Sequence, residues 1–114
     1  MAAYIANLVM NAGADFKQSF YLESPISNSV IDLTGFTGIC QMKKSPASLN
    51  KTADFVVSFP APAAGQVLIS MASTITSTIK PGRYCYDILL TDTNSIKSRA
   101  VEGNIIVTAG ISTS

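Results

Sequence analysis

Few side chains in this sequence could carry out chemistry, and histidine is absent altogether. Without histidine, the chain lacks the commonest general base, the commonest metal ligand and every Ser-His or Cys-His catalytic arrangement. Seven carboxylates remain, and no two of them are close neighbours in the sequence: Asp15, Glu23, Asp32, Asp54, Asp87, Asp92 and Glu102. A glycosidase-type acid pair would have to be assembled by folding, which the sequence leaves open.

The other site patterns are incomplete. The stretch DTNS (Asp92–Ser95) is only a fragment of a calcium loop and is more typical of a hairpin turn, in which Asn and Asp tolerate left-handed backbone. The stretch GFTG (Gly35–Gly38) has too few glycines for a phosphate loop. Gly35 instead predicts a turn, and Gly38 a bulge beside Phe36. We therefore expect no catalytic residue, no cofactor and no metal, and a protein that is not an enzyme.

The two cysteines, Cys40 and Cys85, do not form the Cys-x-x-Cys pair that is typical of zinc sites. They fall in separate predicted strands, and their spacing does not decide whether they are bridged. We expect both to be reduced and half-buried, each acting as a small hydrophobic side chain.

The composition predicts a single domain over residues 1–114 with a substantial core, since 47% of the residues are hydrophobic. Only 13% are charged, and the net charge is +1. The six Lys and two Arg form no basic stripe, so nucleic acid is not an expected partner. A weakly charged surface rich in Ser and Thr is easy to bury against a neighbour, which favours a homo-oligomer over a monomer.

Membrane insertion and secretion are not expected either. No apolar run approaches the roughly 18 residues that a membrane-spanning helix requires. The first stretch, MAAYIANLVMNAGADF, has no basic residue before Lys17, whereas a secretory signal begins with positive charge. We expect synthesis in the cytoplasm.

The elements that must position these residues are short strands. Turn residues recur at short intervals, and the segments between them are rich in β-branched and aromatic residues, which is typical of a sandwich or barrel. The predicted strands are Tyr4–Met10, Phe16–Glu23, Val30–Leu33, Phe36–Lys44, Ala53–Phe59, Gln66–Ala72, Arg83–Thr91, Ile96–Glu102 and Asn104–Thr108. Alternation predicts that Tyr84, Tyr86, Ile88 and Leu90 share the inner face of one strand.

One segment breaks the strand pattern. Residues Ser73–Ile79 (STITSTI) are too few and too β-branched for a stable helix. We predict one helical turn, capped by Ser73 and burying Ile75 and Ile79, where the chain crosses from one sheet to the other.

The stretch IKPGRYCYDILLTD, which follows that crossing, indicates the type of sandwich. In immunoglobulin-like domains a tyrosine lies just after such a corner, and its hydroxyl bonds back to the backbone of the corner. Tyr84 lies two residues after Gly82, and Tyr86 occupies the place of a cysteine in antibody domains. We predict an all-β, immunoglobulin-like antiparallel β-sandwich of about seven to nine short strands, with the helical turn at 73–79. Ordinary core tyrosines of another sandwich are the alternative.

Asp87 lies on the opposite face of the same strand, with Arg83 and Cys85. Cross-strand pairing with Lys97 or Arg99 of the next strand is the expected role of Asp87 and Arg83, and contact with a partner protein is the alternative.

The sequence also resembles small virion proteins of tailed bacteriophages that have an immunoglobulin-like or baseplate-upper-protein-like β-sandwich. Those proteins often carry a DLTGY turn, an aliphatic strand after AG, a PGRYxYD strand and a final R-x-x-EG-x-x-x-V hairpin. The corresponding segments here are Asp32–Phe36, Ala64–Met71, Pro81–Asp87 and Arg99–Val107. These motifs concern the fold and not a site.

The resemblance implies a structural protein of the phage particle, located in the virion near the tail or baseplate, with other virion proteins as partners. A capsid decoration protein and a host-surface adhesion module are the alternatives. The resemblance also implies strand addition between subunits at the edges of Tyr4–Met10 and Asn104–Thr108.

Overall fold

The computed structural model describes residues 4–23 and 30–110. In these residues short strands alternate with turns and loops. The strands are β1 Tyr4–Ile5, β2 Leu8–Asn11, β3 Phe16–Tyr21, β4 Thr37–Lys43, β5 Ala53–Ser58, β6 Gln66–Met71, β7 Gly82–Thr91 and β8 Lys97–Thr108. A 3₁₀ turn at Pro62–Ala64 precedes β6, and one α-helical turn, α1 at Ser73–Thr76, joins β6 to β7.

The strands form two packed layers connected through β5. Sheet A has the order β1/β2–β8–β7–β4–β5, and sheet B has the order β5–β6–β3. The first half of β5 pairs with β4, and its second half, from Val56 to Ser58, pairs with β6. The predicted β-sandwich is confirmed, and the α1 corner does carry the chain from sheet B to sheet A.

The core is formed by side chains that alternate along each strand, with every second residue facing inward. On β7, Tyr84, Tyr86, Ile88 and Leu90 are all buried, as predicted, and the residues between them face outward. From sheet B, Phe16 packs against Phe55 of β5 with the ring centroids 5.7 Å apart. Burying these apolar side chains between the layers is the main stabilising contribution to the fold.

Two predicted strands differ in the structure. The predicted strands on either side of Gly103 are one continuous twelve-residue strand, β8, because Gly103 lies inside the sheet and not in a turn. The predicted strand Val30–Leu33 is absent apart from a single bridge between Glu23 and Val30. Leu33 is nevertheless buried, and its N–H donates to the carbonyl of Pro62.

The N-terminal segment also departs from the purely antiparallel prediction. It forms two short strands, β1 and β2, and both run parallel to β8. They cover the side of β8 where we expected a free edge at Asn104–Thr108, so that prediction is wrong. Only β1 and β2 remain as an edge at this end of sheet A.

Between β1 and β2 the backbone turns inward at Ala6 without losing register. Tyr4 pairs with Val101 before this kink and Leu8 with Ile105 after it, so the offset between the strands is unchanged. The Ala6 carbonyl leaves the ladder and accepts a 2.7 Å hydrogen bond from the buried Tyr86 hydroxyl.

The ladder is completed by a side chain at the kink. In a regular parallel ladder, the N–H of Asn104 would donate to the Ala6 carbonyl. Here that N–H donates instead to Oδ1 of Asn7, at 3.1 Å. The Asn7 amide therefore replaces the acceptor that the kink removes.

The α1 corner is stabilised from outside its own segment. The prediction that Ser73 caps the turn is wrong, because its side chain makes no capping hydrogen bond. The N–H of Ser73 instead donates to Oδ1 of Asp15 at 2.7 Å. Ile79 is buried as expected, but Ile75 is exposed and Thr76 takes the inner position. The Thr76 hydroxyl donates to the carbonyl of Ala14 at 2.9 Å, which ties α1 to the β2–β3 turn.

The tyrosine corner is present. The hydroxyl of Tyr84, a buried residue, donates to the backbone carbonyl of Lys80 at 2.7 Å, four residues upstream. Replacing Tyr84 with Phe removes this donor and leaves a partly buried carbonyl without its partner. We expect Tyr84→Phe to lower the free energy of unfolding by about 1 kcal/mol, measured by urea denaturation. Tyr21→Phe, at an exposed position of β3, is the control and should leave stability unchanged.

Candidate functional site

The outer face of sheet A, formed by β1, β4, β7 and β8, carries the sequence-predicted polar residues. The strand register aligns them in three rows across the sheet. The rows, from β4 to β8, are Ile39–Leu89–Arg99, Gln41–Asp87–Glu102 and Lys43–Cys85–Asn104. Ile5 of β1 extends the middle row beyond Glu102. The period-two alternation that buries one face of β7 places these residues on the other.

An ion-pair cluster lies at the centre of the outer face. Nε of Arg99 is 3.1 Å from Asp87, and Nη1 of the same guanidinium is 3.5 Å from Glu102. The predicted Asp87–Arg99 pair is therefore confirmed. Arg83 and Lys97 form no ion pair with any residue in the described part of the chain. Because all three partners are substantially exposed, the cluster contributes little to stability and mainly fixes the side-chain positions.

Folding has thus brought together two carboxylates, Asp87 and Glu102, which are directly opposite each other on β7 and β8. The same arginine contacts both of them. A glycosidase pair needs two carboxyl groups that are free to flank a scissile bond, one to donate a proton and one to attack or activate water. The arrangement here is an ion-pair cluster and does not resemble such a pair. The prediction that the chain is not an enzyme stays a prediction.

A groove of about 700 Å³ follows this face. Ile5 and Asn7 line it on the β1 side, and Lys43 and Pro46 line it on the β4 side. Its floor mixes apolar side chains with the ion-pair cluster, and the charges are two cations, Lys43 and Arg99, against two carboxylates. This balance does not select an anionic or a cationic ligand; it fits a protein surface of mixed polarity better than a small-molecule site.

The sequence did not predict that Ile5 and Asn7 line the groove. Both belong to the N-terminal segment, and only the parallel pairing of β1 with β8 brings them beside Glu102 and Asn104. The available signal was the EG pair at Glu102–Gly103, because a glycine inside a strand pattern often marks a close approach of another backbone.

The two cysteines lie on opposite faces of sheet A. Cys40 points into the core, opposite Ile88, and its burial raises the pKa of the thiol well above its usual range. Cys85 lines the groove, and its thiol donates to the carbonyl of Lys43 with a 3.4 Å separation. Both are free, as predicted, although Cys40 is fully buried and not half-buried.

This difference predicts selective modification. Because a thiolate is the reactive form, Cys40 should resist alkylation on both counts, burial and raised pKa. We expect maleimide at neutral pH to label Cys85 alone in the folded protein and both cysteines in urea, as counted by mass spectrometry. A Cys85→Ser variant is the control and should take up no label until it unfolds. Equal labelling of both thiols in the folded state would contradict the placement of Cys40.

The other sequence motifs have structural roles. At Asp92–Ser95, Oδ1 of Asp92 accepts hydrogen bonds from the N–H groups of Asn94 and Ile96, which forms the predicted turn. The left-handed residue is Ser95, with φ of 64°, and neither the Asp nor the Asn. No group of three or more potential metal ligands occurs in residues 4–23 and 30–110.

The GFTG stretch also serves the fold. Gly35 is left-handed, with φ of 83°, in the turn before β4. Gly38 is not at a bulge, since it pairs regularly with Leu90. A Cβ at Gly38 would lie 2.8 Å from Cγ1 of Val57, so the glycine allows β5 to pack closely on β4.

The four tyrosines divide between the core and the surface. Tyr84 and Tyr86 are buried, whereas Tyr4 and Tyr21 are exposed. Tyr4 lies on the edge of sheet A and Tyr21 on β3, the edge of sheet B. They therefore do not combine into one aromatic platform.

No family model matches the sequence, and neither does any curated protein. Among solved structures, a point mutant of the SrpA adhesin from Streptococcus sanguinis is similar with a TM-score of 0.52 and 12% identity, over 90% of this chain and 54% of that one. An internalin-like protein of Listeria monocytogenes is similar with a TM-score of 0.46 and 13% identity, over 95% of this chain and 28% of that one. Murine CRIg is similar with a TM-score of 0.40 and 10% identity, over 91% of this chain and 92% of that one.

The chain thus spans about half the length of the SrpA chain. At this level of identity the similarity to the SrpA structure concerns the fold alone. The chain has an immunoglobulin-like β-sandwich fold, as predicted. The resemblance to phage virion proteins stays a prediction. Within the described residues, no helix is long and apolar enough to cross a membrane.

Proposed function

We propose that this chain is a structural protein of a bacteriophage particle, located in the tail or baseplate region and acting through contacts between subunits. The observation that carries the proposal is the surface of sheet A. Ile5 and Val9 at one end of the sheet, and Ile39 on β4 towards the other, are each more than half exposed. Large apolar side chains that are exposed on a sheet surface are typical of a surface that is covered in an assembly.

The positions of the resembling motifs support the proposal. Asp32–Phe36 forms the turn before β4, where the Asp32 carboxylate accepts from the N–H and hydroxyl of Thr34 at 3.0 and 2.6 Å. Pro81–Asp87 contains the tyrosine corner, and Arg99–Val107 contains the ion-pair cluster and the glycine beneath the N-terminal kink. The motifs thus supply turns, corners and strand contacts, as expected for a module whose role is structural.

The test is to locate the protein in particles. Particles encoded by the genome that carries this gene would be purified on a density gradient and analysed by quantitative mass spectrometry and immunogold electron microscopy. We expect several copies per particle, with label at the tail end. Particles from a deletion strain are the control for antibody specificity. Label on the head would favour the capsid decoration alternative, and absence from purified particles would contradict the proposal.

A further inference from the structure

The edge of sheet A formed by β1 and β2 has an unpaired side. Both strands pair with β8, and no other strand of the described residues lies beyond them. Large apolar side chains are concentrated here, and we call this set the apolar edge: Tyr4, Ile5, Val9 and Ile106. Val9 and Ile106 are register partners on β2 and β8, so their exposed side chains are adjacent.

The direction of the backbone groups follows from the hydrogen bonds at either end of the segment. The N–H groups of Ala6 and Ala12 donate to the carbonyls of Glu102 and Thr108 on β8, both at 2.9 Å. In a strand, successive residues direct their N–H and C=O groups to opposite sides. The N–H and C=O of Val9 therefore face away from β8, at the free side of the edge.

The two edges of the sandwich differ in charge. The segment from Tyr4 to Ala14 has no charged residue and no proline. The other edge strand, β3, carries Lys17, and its continuation is covered at Glu23 by the bridge to Val30. Edge strands of soluble proteins are commonly protected by charge, especially lysine, or by coverage. β3 has both forms of protection, whereas within residues 4–23 and 30–110 neither form protects β1 and β2.

We infer that the apolar edge binds a second copy of this chain, through antiparallel pairing of β2 with β2 of the copy about a two-fold axis near Val9. This inference rests on the proposed role in subunit contacts and specifies the surface used. A strand without charge can meet its own copy with no like charges opposed. The pairing would extend sheet A across the dimer and place the Val9 and Ile106 side chains of both copies together.

An isologous contact of this kind closes after two copies, because each uses the same surface. The pairing strand has only four residues, so the contact area is small and the dimer is expected to be weak and concentration-dependent. The expected assembly is therefore a closed dimer of two copies and not an open fibre.

Sedimentation velocity over a wide range of protein concentration tests the inference. We expect the wild type to shift from monomer to dimer as concentration rises. Val9→Pro removes the outward N–H, and Val9→Lys adds a charge at the edge, so both variants should remain monomeric. Proline is tolerated at an edge position whose N–H faces solvent, and far-UV circular dichroism would verify that each variant is folded. Tyr21→Lys, at a similarly exposed position on β3 (65% against 61% for Val9), is the matched control and should dimerise like the wild type.

Three results would overturn the inference: a wild type that stays monomeric throughout, Val9 variants that dimerise as well as the wild type, or dissociation by Tyr21→Lys alone. As an independent readout, the amide of Val9 should become protected from hydrogen exchange as concentration rises. These results do not depend on where the protein lies in a particle. Absence from particles would therefore contradict the proposed function without affecting the dimer, and a monomer found in particles would contradict only the dimer.

Discussion

Gly103→Ala is expected to destabilise the protein by about 3 kcal/mol and to release the N-terminal strands. A Cβ at this position would overlap the carbonyl oxygen of Ala6 and lie 2.7 Å from the carbonyl carbon. The obstructing atoms are backbone, which cannot move without disturbing the kink. Overpacking of this type costs about 1–3 kcal/mol. Displacing Ala6 also breaks its hydrogen bond from the Tyr86 hydroxyl, which adds about 1 kcal/mol.

The measurement is urea denaturation together with hydrogen exchange of the β2 amides. We expect Leu8 and Met10, whose N–H groups face β8, to lose protection in the Gly103→Ala variant before the other strands do. Gly13→Ala is a suitable control. Gly13 has φ of 87° but open space around its Cα, so alanine there should cost only the left-handed strain of about 1 kcal/mol. If the two variants were equally stable, the close approach of Ala6 to Gly103 would not exist in solution.

Ile88→Ala is expected to cost about 3–4 kcal/mol. Ile88 is in the middle of β7, is fully buried, and pairs with Cys40 of β4 on one side and Val101 of β8 on the other. Removing three carbons from this position loses transfer free energy and leaves a cavity that strands paired on both sides cannot close. The change in the free energy of unfolding, measured by chemical denaturation, checks this value.

Ile39→Ala on the neighbouring strand β4 provides the matched control. The two positions have the same side-chain chemistry in the same sheet, but Ile39 is on the outer face and 55% exposed. We expect a loss of less than about 1 kcal/mol, since little burial is removed. If Ile39→Ala proved the more costly of the two, the assignment of the inner and outer faces of sheet A would be wrong.

The candidate surface could be predicted only in part. Pairing of Asp87 with Lys97 or Arg99 is predictable because β7 and β8 are consecutive strands, and consecutive strands joined by a short turn usually pair. The contact of Arg99 with Glu102 also falls within β8. The side of the groove formed by Ile5 and Asn7 could not be inferred, because these residues are almost a hundred positions away from Glu102 and Asn104 along the chain.

Local sequence patterns correctly predicted the inner face of β7, the turn at Asp92–Ser95 and the corner that Tyr84 closes. Each of these depends on residues close together: a side chain alternates with period two, and the Tyr84 hydroxyl reaches only four residues back to Lys80. Three features depend instead on contacts between distant segments: β1 and β2 run parallel beside β8, β5 divides between the two sheets, and Asp15 caps α1. The sequence near a strand does not encode these contacts, because the hydrogen-bonding groups of a strand edge are alike for every potential partner and the packing of the whole sandwich selects among them.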